Sequence, residues 1–553
     1  MTLLALTDSE TTGLVSERTT GLHWTELTVQ CGDSTLFRDD DGGIAASTTV
    51  AILGRSGAGK TTFLEALSLK TESGLHRSGT VTWNSDPLTE AWVRQHVSHV
   101  GVKDVLCPTL TVEETCQYYA ALTVGDPIPV LRTLGLEAAL APRFVGALST
   151  GERKRLQVAV SMLASPTLLC LDEPTSGLSD PDALALVSEL KRINSDTGTT
   201  VVLVIHQPRK AIVDQFDRIL LLQAGTIVVD ASPSDVEARF ASVCPIGENV
   251  VAYVLDHLHQ VTDASLRRPK QDQSLGSASK ARVGWRLSPK IDPAWWGITW
   301  AILRKDVATN RHNYASYVQT FGFAFTGIAL FGALFSRPIA IMRTVDPDSV
   351  SYLTRLYVFF GLAIMFDNMT KFKSVELNAS KREFQHSQYH CLLNASQYVL
   401  GTVVYDTIFL LLPATALTLM LQLVGGFPFQ PSIVAAWIGL IWAFLWIVAI
   451  GARWITFAAQ PTMQLNLFGL LNFVVLGFNG IMLPIEFLYP SIQWIASINP
   501  LYHAYEAMER ARDVGGEPST TLGHHLAILL GMGLVALLGF GLQCSRMRTW
   551  PGR

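Results

Sequence analysis

The stretch GRSGAGKTT, residues 54–62, decides the fold of the first half of this chain. It matches the phosphate-binding pattern G-x4-G-K-[ST], follows an apolar strand and opens a predicted helix. Glycines let backbone N–H groups close around phosphates, and the helix N-terminus adds partial positive charge. We expect Lys60 to reach the β and γ phosphates of ATP and the Thr61 hydroxyl to bind Mg²⁺. The predicted ATP-binding residues are Gly54, Arg55, Ser56, Gly57, Ala58, Gly59, Lys60, Thr61 and Thr62.

A second motif, LLCLDEP at residues 168–174, is an apolar strand that ends in two carboxylates. Asp172 suits the shell of a Mg²⁺ ion, and Glu173 suits a catalytic residue that orients or deprotonates the attacking water. A buried strand that ends in a solvated acidic turn would look the same by itself. The phosphate-binding loop upstream favours the catalytic interpretation.

Between these motifs, the sequence LSTGE resembles the LSGGQ signature of ATP-binding-cassette (ABC) proteins, with Thr150 in place of a glycine. The resemblance implies that the serine hydroxyl and a helix N-terminus face the γ-phosphate of ATP held by an opposite subunit. It therefore implies two cassettes that sandwich ATP head to tail. The predicted signature residues are Leu148, Ser149, Thr150, Gly151 and Glu152.

His206, in the sequence IHQP, ends another apolar strand and looks like the switch histidine of ABC proteins, which contacts the γ-phosphate. A lone histidine at a strand end is usually structural. Its order and spacing after Asp172 and Glu173 favour a catalytic role.

Two positions depart from the ABC pattern. Val102 stands where the resemblance places a glutamine, and Ser179 stands where it places an aspartate. Lys103, Asp104 or Asp180 could compensate, in which case hydrolysis is ordinary. The other interpretation is that one composite ATP site is weak, as in asymmetric heterodimers.

The amino-acid composition indicates that part of the chain lies in a membrane. Of its 553 residues, 49% are hydrophobic and only 16% are charged, so part of the chain is expected in a membrane. The net charge of −4 gives no basic surplus for nucleic acid, which we exclude as the main partner. The seven cysteines lack metal-ligand spacing, and we expect reduced thiols. The N-terminus lacks the features of a cleaved signal peptide.

The chain is predicted to contain an N-terminal tail and two domains joined by a linker. Alternating strands, Gly-rich turns and amphipathic helices indicate an α/β P-loop ATPase domain. A polar Ser- and Gly-rich linker follows, and then an all-α membrane domain. The predicted bounds are 1–20 for the tail, 21–258 for the cassette, 259–290 for the linker and 291–553 for the membrane domain.

The membrane domain is predicted to contain six transmembrane helices after an amphipathic connecting helix at 295–311. Buried core helices are the alternative for any single segment, but six apolar segments in series disfavour it. Basic residues cluster in loops on one side, which places both termini in the cytosol. We expect a multi-pass protein of the plasma membrane. The predicted spans are about 314–335, 352–372, 393–424, 433–457, 463–483 and 525–544.

The order of domains, cassette first, resembles the G subfamily of ABC half-transporters, the White and multidrug-resistance type. The sequence IHQPR, the acidic pair Glu376 and Glu383 after the second span, and the stretch 491–508 are similar to segments of that subfamily. The resemblance implies a six-helix membrane domain of the G-subfamily type. It also implies a second half-transporter as partner, in a homodimer or a heterodimer.

In this subfamily, substrates lie between spans two and five of both subunits, which implies a cavity in this chain. Polar groups at membrane depth are costly and often functional, although packing between helices is an equal alternative. Ile481 and Met482 stand where relatives have an apolar plug, and Asp406 is predicted to make a helix-packing or dimer contact. The predicted cavity residues are Ile364, Asp367, Asn472, Phe473, Leu476 and Asn479.

Taken together, the motifs predict an ATPase that exports hydrophobic or amphipathic small molecules such as lipids, sterols, pigments or drug-like metabolites. The alternative is a catalytically weak partner or regulatory half of a heterodimeric transporter, which Val102 and Ser179 motivate. A soluble cassette protein is disfavoured by the six apolar segments. The sequence does not name the substrate.

Overall fold

The structure of the chain is a computed structural model. The structure describes residues 20–69, 75–102, 106–123, 136, 141–206, 209–240, 244, 249–257, 295–342, 356–367, 377, 381, 384, 393–425, 429–477, 488–513 and 520–546.

The cassette begins with a four-stranded antiparallel sheet in the order β2-β1-β4-β5. Buried Leu22 and Trp24 alternate along β1, and a register shift between Thr25 and Thr28 then brings Leu27 to the same buried face. The face packs on Phe63, whose ring centroid lies 5.2 Å from that of Trp24. The strands span Gly21–Cys31 (β1), Ser34–Ala45 (β2), Leu75–Trp83 (β4) and Asp86–Pro87 (β5).

A six-stranded sheet forms the centre of the cassette, in the order β10-β9-β3-β8-β7-β6. Its neighbours pair in parallel except the β9–β10 hairpin. Strands β3, β6, β7 and β8 are buried along their whole length, as expected for parallel strands covered on both faces. The strands span Thr49–Gly54 (β3), Val97–Val100 (β6), Leu168–Asp172 (β7), Thr200–Val204 (β8), Arg218–Gln223 (β9) and Thr226–Ala231 (β10).

Eight α-helices accompany these sheets in the described part of the cassette. Each connects strands or continues the chain along the surface of the sheet, which confirms the predicted α/β class. They span Lys60–Leu67 (α1), Glu90–His96 (α2), Val112–Thr123 (α3), Thr150–Met162 (α4), Asp180–Thr197 (α5), Lys210–Val213 (α6), Pro233–Phe240 (α7) and Val250–His257 (α8).

All elements in the described residues of the second half are helices, as predicted, and short turns join them. The helices span Trp295–His312 (α9), Tyr314–Met342 (α10), Leu356–Asp367 (α11), Ala395–Phe409 (α12), Leu411–Gly425 (α13), Pro431–Ala458 (α14), Pro461–Gly477 (α15), Gln493–Ser497 (α16), Pro500–Asp513 (α17) and Thr520–Arg546 (α18).

Three described segments are long and apolar enough to cross a membrane, namely Ala395–Leu423, Pro431–Ala458 and Gly523–Arg546. Shorter apolar helices lie within the other three predicted spans, at Phe321–Leu334, Leu356–Asp367 and Asn466–Gly477. Residues 343–355, 368–376 and 478–487, which include the ends of those predicted spans, lie outside the described residues.

The third predicted span is two helices, α12 and α13, that meet at Leu410. Pro413 accounts for the break, because it has no N–H to donate to the carbonyl of Phe409 four residues earlier. Its place in the first turn of α13 is one that proline tolerates. Ala395–Leu423 is nevertheless one apolar segment long enough to cross a membrane, so the predicted span at 393–424 stays a prediction, with an interruption at Leu410.

A buried ion pair joins α12 to α14. Nε and Nη2 of Arg453 donate to the two carboxylate oxygens of Asp406 at 2.6 Å and 3.0 Å. Arg453 is 2% exposed and Asp406 is fully buried. The two hydrogen bonds are parallel and charge-assisted, which is the strong form of contact between a carboxylate and a guanidinium. Asp406 thus makes a contact between helices of one subunit.

Candidate functional site

The phosphate-binding motif forms the turn between β3 and α1, as predicted. Gly57 and Gly59 have φ angles of 79° and 91°, in the left-handed region that residues with a side chain rarely adopt. A Cβ atom on Gly59 would lie 2.8 Å from the carbonyl oxygen of Leu36, so only glycine fits there. These conformations turn the backbone so that helix α1 begins directly at Lys60.

Lys60 is buried at the mouth of this turn. Its Nζ donates to the carbonyl oxygens of Gly54 and Arg55 at 2.9 Å and 3.0 Å. Burial lowers the pKa of the ammonium group, while the charges of Glu173 and Asp172 act in the opposite direction. The lysine is therefore held by carbonyl groups of the loop itself.

Asp172 ends β7 beside this turn and is only 4% exposed. The Thr61 hydroxyl donates to its Oδ1 at 3.2 Å. Burial raises the pKa of Asp172 to about 6, although the hydrogen bond from Thr61 and the charge of Lys60 favour ionisation. A cation bound here would stabilise the buried carboxylate. A carboxylate and a hydroxyl oxygen are ligands that Mg²⁺ accepts, so the predicted metal residues Thr61 and Asp172 fit that ion.

Glu173 and His206 are in direct contact. Nε2 of His206 lies 2.5 Å from Oε1 of Glu173. Strand β8 lies between β3 and β7, and the Glu173 N–H donates to the carbonyl of Val204 at 3.1 Å, which brings the two residues together. Glu173 has a φ of 48°. Non-glycine residues in that region are strained and concentrate at functional sites.

The signature residues begin helix α4. Ser149 caps the helix by accepting from the Glu152 N–H at 3.2 Å, and Glu152 accepts from the Ser149 N–H at 2.7 Å, which completes a capping box. The hydrogen bond from the Ser149 backbone, together with the charge of Arg143, lowers the pKa of Glu152. Ser149 and Thr150 are exposed, so the capped N-terminus faces outward from the subunit.

The departures from the ABC pattern have specific partners. The carbonyl oxygen of Val102 accepts from Nζ of Lys154 at 3.0 Å. Ser179 caps helix α5 and donates to Oδ2 of Asp182 at 2.6 Å. Asp180, the predicted substitute for the missing aspartate, forms an ion pair with Arg209. Lys103 and Asp104 lie outside the described residues.

Helix α9 contacts the cassette through Glu114, near the start of α3. Both carboxylate oxygens of Glu114 lie 3.0 Å from Nε2 of His312, and Nη2 of Arg311 donates to Oε1 at 3.4 Å. Burial opposes ionisation of Glu114, but hydrogen bonds from Thr111 and His312 outweigh it and lower its pKa. A charged contact therefore joins the cassette to the first helix of the membrane half.

The ammonium of Lys305, on the same helix, lies 5.4 Å from the ring centroid of Tyr118. The ring of Phe144, six residues before Thr150, meets the ring of His312 edge to face at 4.9 Å. Sequence reasoning missed these contacts, because the partners are far apart in the chain and no motif marks them.

Two predicted cavity residues meet between α11 and α15. Nδ2 of Asn472 donates to Oδ1 of Asp367 at 3.1 Å. Oδ1 of Asn472 is buried and has no hydrogen-bond partner within the described part of the chain. Ile364 and Leu476 pack against the same apolar cluster, whereas Phe473 is 68% exposed.

The remaining positions singled out in the membrane half lie outside the described residues, namely Asn479, Glu376, Glu383, Ile481 and Met482.

Comparison with known proteins agrees with this geometry. Residues 37–176 match the family model for ABC transporters, and residues 298–511 match the model for ABC-2 type transporters. ABC transporter G family member 5 of Arabidopsis thaliana is 36% identical over 228 residues, which cover 38% of this chain and 35% of that protein. The first curated relatives are thus matched over less than half of their own length.

ABC transporter G family member 22 of Dictyostelium discoideum is 26% identical over 580 residues, which cover 92% of this chain and 88% of that protein. A solved structure of the ATP-binding cassette MJ0796, dimeric and bound to ADP and Pi, has a TM-score of 0.33 and 22% identity, over 38% of this chain and 98% of that one.

The phosphate-binding turn, the Glu173–His206 contact and the two family matches define an ABC transporter protein, with its ATP-binding cassette ahead of its membrane domain. The chain is similar to members of the G family of ABC transporters, both in the partial match and in the match of nearly full length.

Proposed function

We propose that this chain is an ATP-hydrolysing half-transporter that dimerises and exports hydrophobic or amphipathic small molecules. The observation that carries the proposal is the contact of 2.5 Å between Glu173 and His206 beside the phosphate-binding turn. The backbone of Glu173 is in a strained conformation, and strained residues concentrate at functional sites. The strain and the contact with the histidine therefore favour a protein that hydrolyses ATP over one that only binds it.

Each residue of the site has a role in the hydrolysis of ATP. The loop 54–62 cradles the phosphates with its backbone N–H groups, and Lys60 neutralises negative charge on the β and γ phosphates. Thr61 and Asp172 would hold Mg²⁺, which when bound supplies positive charge to the phosphates. Glu173 orients the attacking water and accepts its proton, and His206 positions Glu173 and contacts the γ-phosphate.

The signature helix supports a dimer. Its N-terminus is capped and exposed, and it carries the Ser149 hydroxyl and the partial positive charge of a helix end. Such a helix end suits the γ-phosphate of ATP held by a second half-transporter, the same chain or a different one. Binding of ATP would then draw two cassettes together, and hydrolysis would release them.

The contact of Glu114 with Arg311 and His312 would carry that motion to the membrane half. Closure of the cassettes displaces α3, and α9 follows because its last turn is bound to Glu114. The cavity between spans two and five would then open outward.

The contact between Asp367 and Asn472 narrows the substrate class. The surroundings are apolar, but the pair offers a carboxylate and the buried amide oxygen of Asn472 as acceptors. Amphipathic molecules with a hydrogen-bond donor or a positive charge satisfy both acceptors, whereas purely apolar molecules leave the amide oxygen without a partner.

Six spans with cytosolic termini, in the plasma membrane, remain our proposal for the topology. Nζ of Lys381, in a basic cluster predicted to be cytosolic, donates to the carbonyls of Thr456 and Ala459 at the end of α14. The end of the fourth predicted span therefore lies on the same side as this cluster, in agreement with the positive-inside rule.

A second candidate is a catalytically weak half of a heterodimer. Asp180 is engaged by Arg209, and the side chain at position 102 offers no polar atom to nucleotide or water. Both observations favour a site that binds ATP but turns it over slowly.

Purified full-length protein in proteoliposomes distinguishes the two. We expect ATPase activity from the chain alone, loss of that activity in Glu173→Gln, and stimulation by at least one member of a panel of cationic, neutral and anionic amphipaths. ATP binding without hydrolysis would establish the weak-partner alternative. Hydrolysis without flux of any amphipath would contradict the export of this substrate class.

A further inference from the structure

The segment after β6 is attached to the signature helix by a lysine rather than through a glutamine side chain. Val102 occupies the position at which ABC proteins carry a glutamine, and its apolar side chain is 46% exposed. The group of Val102 that contacts the signature helix is its backbone carbonyl, which accepts a hydrogen bond from Nζ of Lys154 at 3.0 Å. Any residue type at position 102 would present the same acceptor.

Lys154 is only 8% exposed, which is unusual for an ammonium group. It lies one helical turn after Thr150, on the helix that begins with the signature residues. The capping box of Ser149 and Glu152 and the ion pair of Glu152 with Arg143 stabilise that first turn. The backbone hydrogen bonds of the helix connect the signature residues to Lys154.

Val102 lies between the catalytic carboxylates and the membrane contact. Strand β6 pairs in parallel with β7, with Val100 opposite Leu171. Strand β6 ends at Val100, two residues before Val102, and β7 ends at Asp172, one residue before Glu173. In the other direction the chain leads to α3, where Glu114 binds His312.

We infer that Lys154 is a positioning residue that couples the signature helix to both the catalytic strand end and the membrane half. When partner-held ATP pulls the signature helix, Lys154 moves the backbone at Val102, and with it the segment that leads to α3. This inference rests on the proposed function in requiring that the cassette binds ATP and that a second half-transporter presents ATP to the signature helix. The hydrogen bond from Lys154 to the Val102 carbonyl thus takes the coupling role that a glutamine side chain has in other ABC proteins.

The test is hydrogen–deuterium exchange of the full-length protein in lipid nanodiscs, with and without Mg-ATP, on a Glu173→Gln background that retains ATP. Peptides that cover residues 54–67 report binding, and peptides that cover 106–123 and 295–312 report transmission. The variants are Lys154→Met, which removes the donor, and Lys154→Arg, which retains one. Val102→Ala is the matched control, because it changes the side chain and keeps the acceptor.

We expect ATP to protect residues 54–67 in every variant. The ATP-dependent change in 106–123 and 295–312 should be lost in Lys154→Met and retained in Lys154→Arg and Val102→Ala. An undiminished change in Lys154→Met would overturn the inference, as would its loss in Val102→Ala. A purely structural role would instead raise exchange throughout α4 without ATP and would not distinguish methionine from arginine. Absence of protection at 54–67 in the parent protein would contradict ATP binding itself.

Discussion

Nε2 of His206 lies 2.5 Å from Oε1 of Glu173, across the carboxyl ends of two neighbouring parallel strands. The two side chains come from positions 33 residues apart, and the sheet order alone brings them together. The backbone of Glu173 has a φ of 48°, and its carboxylate is held by the contact with His206. In the proposed mechanism, hydrolysis is therefore the step most sensitive to the identity of residue 173.

Replacing Glu173 with glutamine should abolish hydrolysis and spare binding. Glutamine keeps the shape of the side chain but cannot accept a proton from water, so release of phosphate should fall about 100-fold or more. ATP binding, measured with a fluorescent analogue, should be unchanged within about twofold, a free-energy change of less than about 0.5 kcal/mol. Glu90→Gln, at the exposed start of α2, is the control. Equal loss of binding in Glu173→Gln would refute this role.

Replacing Glu114 with glutamine should uncouple hydrolysis from substrate. The change removes the charge that attracts Arg311 and His312 while leaving the phosphate loop intact. Basal ATPase activity should persist, and its stimulation by amphipaths should disappear.

The neighbouring residue provides a matched control for that experiment. Glu113 is exposed and contacts Gln117 on its own helix, so Glu113→Gln should retain stimulation. If the two variants behave alike, the contact with α9 does not carry the signal.

Replacing Asp367 with asparagine should change which amphipaths are transported. The variant keeps the volume and the contact with Asn472 but removes the negative charge. Apparent affinity for cationic amphipaths should weaken roughly tenfold, because a hydrogen bond to a charged group is lost, while neutral analogues of the same skeleton should be affected little. Competition for flux in proteoliposomes measures both. Equal weakening for cationic and neutral analogues would contradict a role of the charge.

Replacing Asp406 alone should destabilise the membrane half. Asp406→Asn leaves the guanidinium of Arg453 buried without its counter-charge, at a cost of about 3–5 kcal/mol. Thermal unfolding in detergent should show a large decrease in the transition temperature. The double variant Asp406→Asn with Arg453→Met should recover much of that loss, since no unpaired charge remains. A double variant as unstable as the sum of both single variants would show that the residues act independently.

The phosphate-binding turn could be predicted from the sequence because its pattern is local. The turn requires glycines at fixed spacing before a lysine. In the structure, Gly57 and Gly59 both have φ values that favour glycine. The α/β class and the helical second half follow from the periodicity of apolar residues and are confirmed.

Contacts between distant segments were beyond such reasoning. The acceptor for Lys154 is a backbone carbonyl, which every residue type carries, so the sequence gives no signal for it. Glu114 and His312 are 198 positions apart, and no motif links them. The interruption between α12 and α13 does have a local signal in Pro413, although proline is tolerated within membrane helices. The number of spans remains a prediction where the connecting residues are not described.

The ion pair of Asp406 with Arg453 also constrains how this protein can evolve. Substitution of either residue alone would leave an unpaired charge buried between the helices. Selection against the destabilised intermediate would then disfavour single substitutions. We therefore expect the two positions to change together. Among descendants of this chain they should be retained together or exchanged together for an apolar pair.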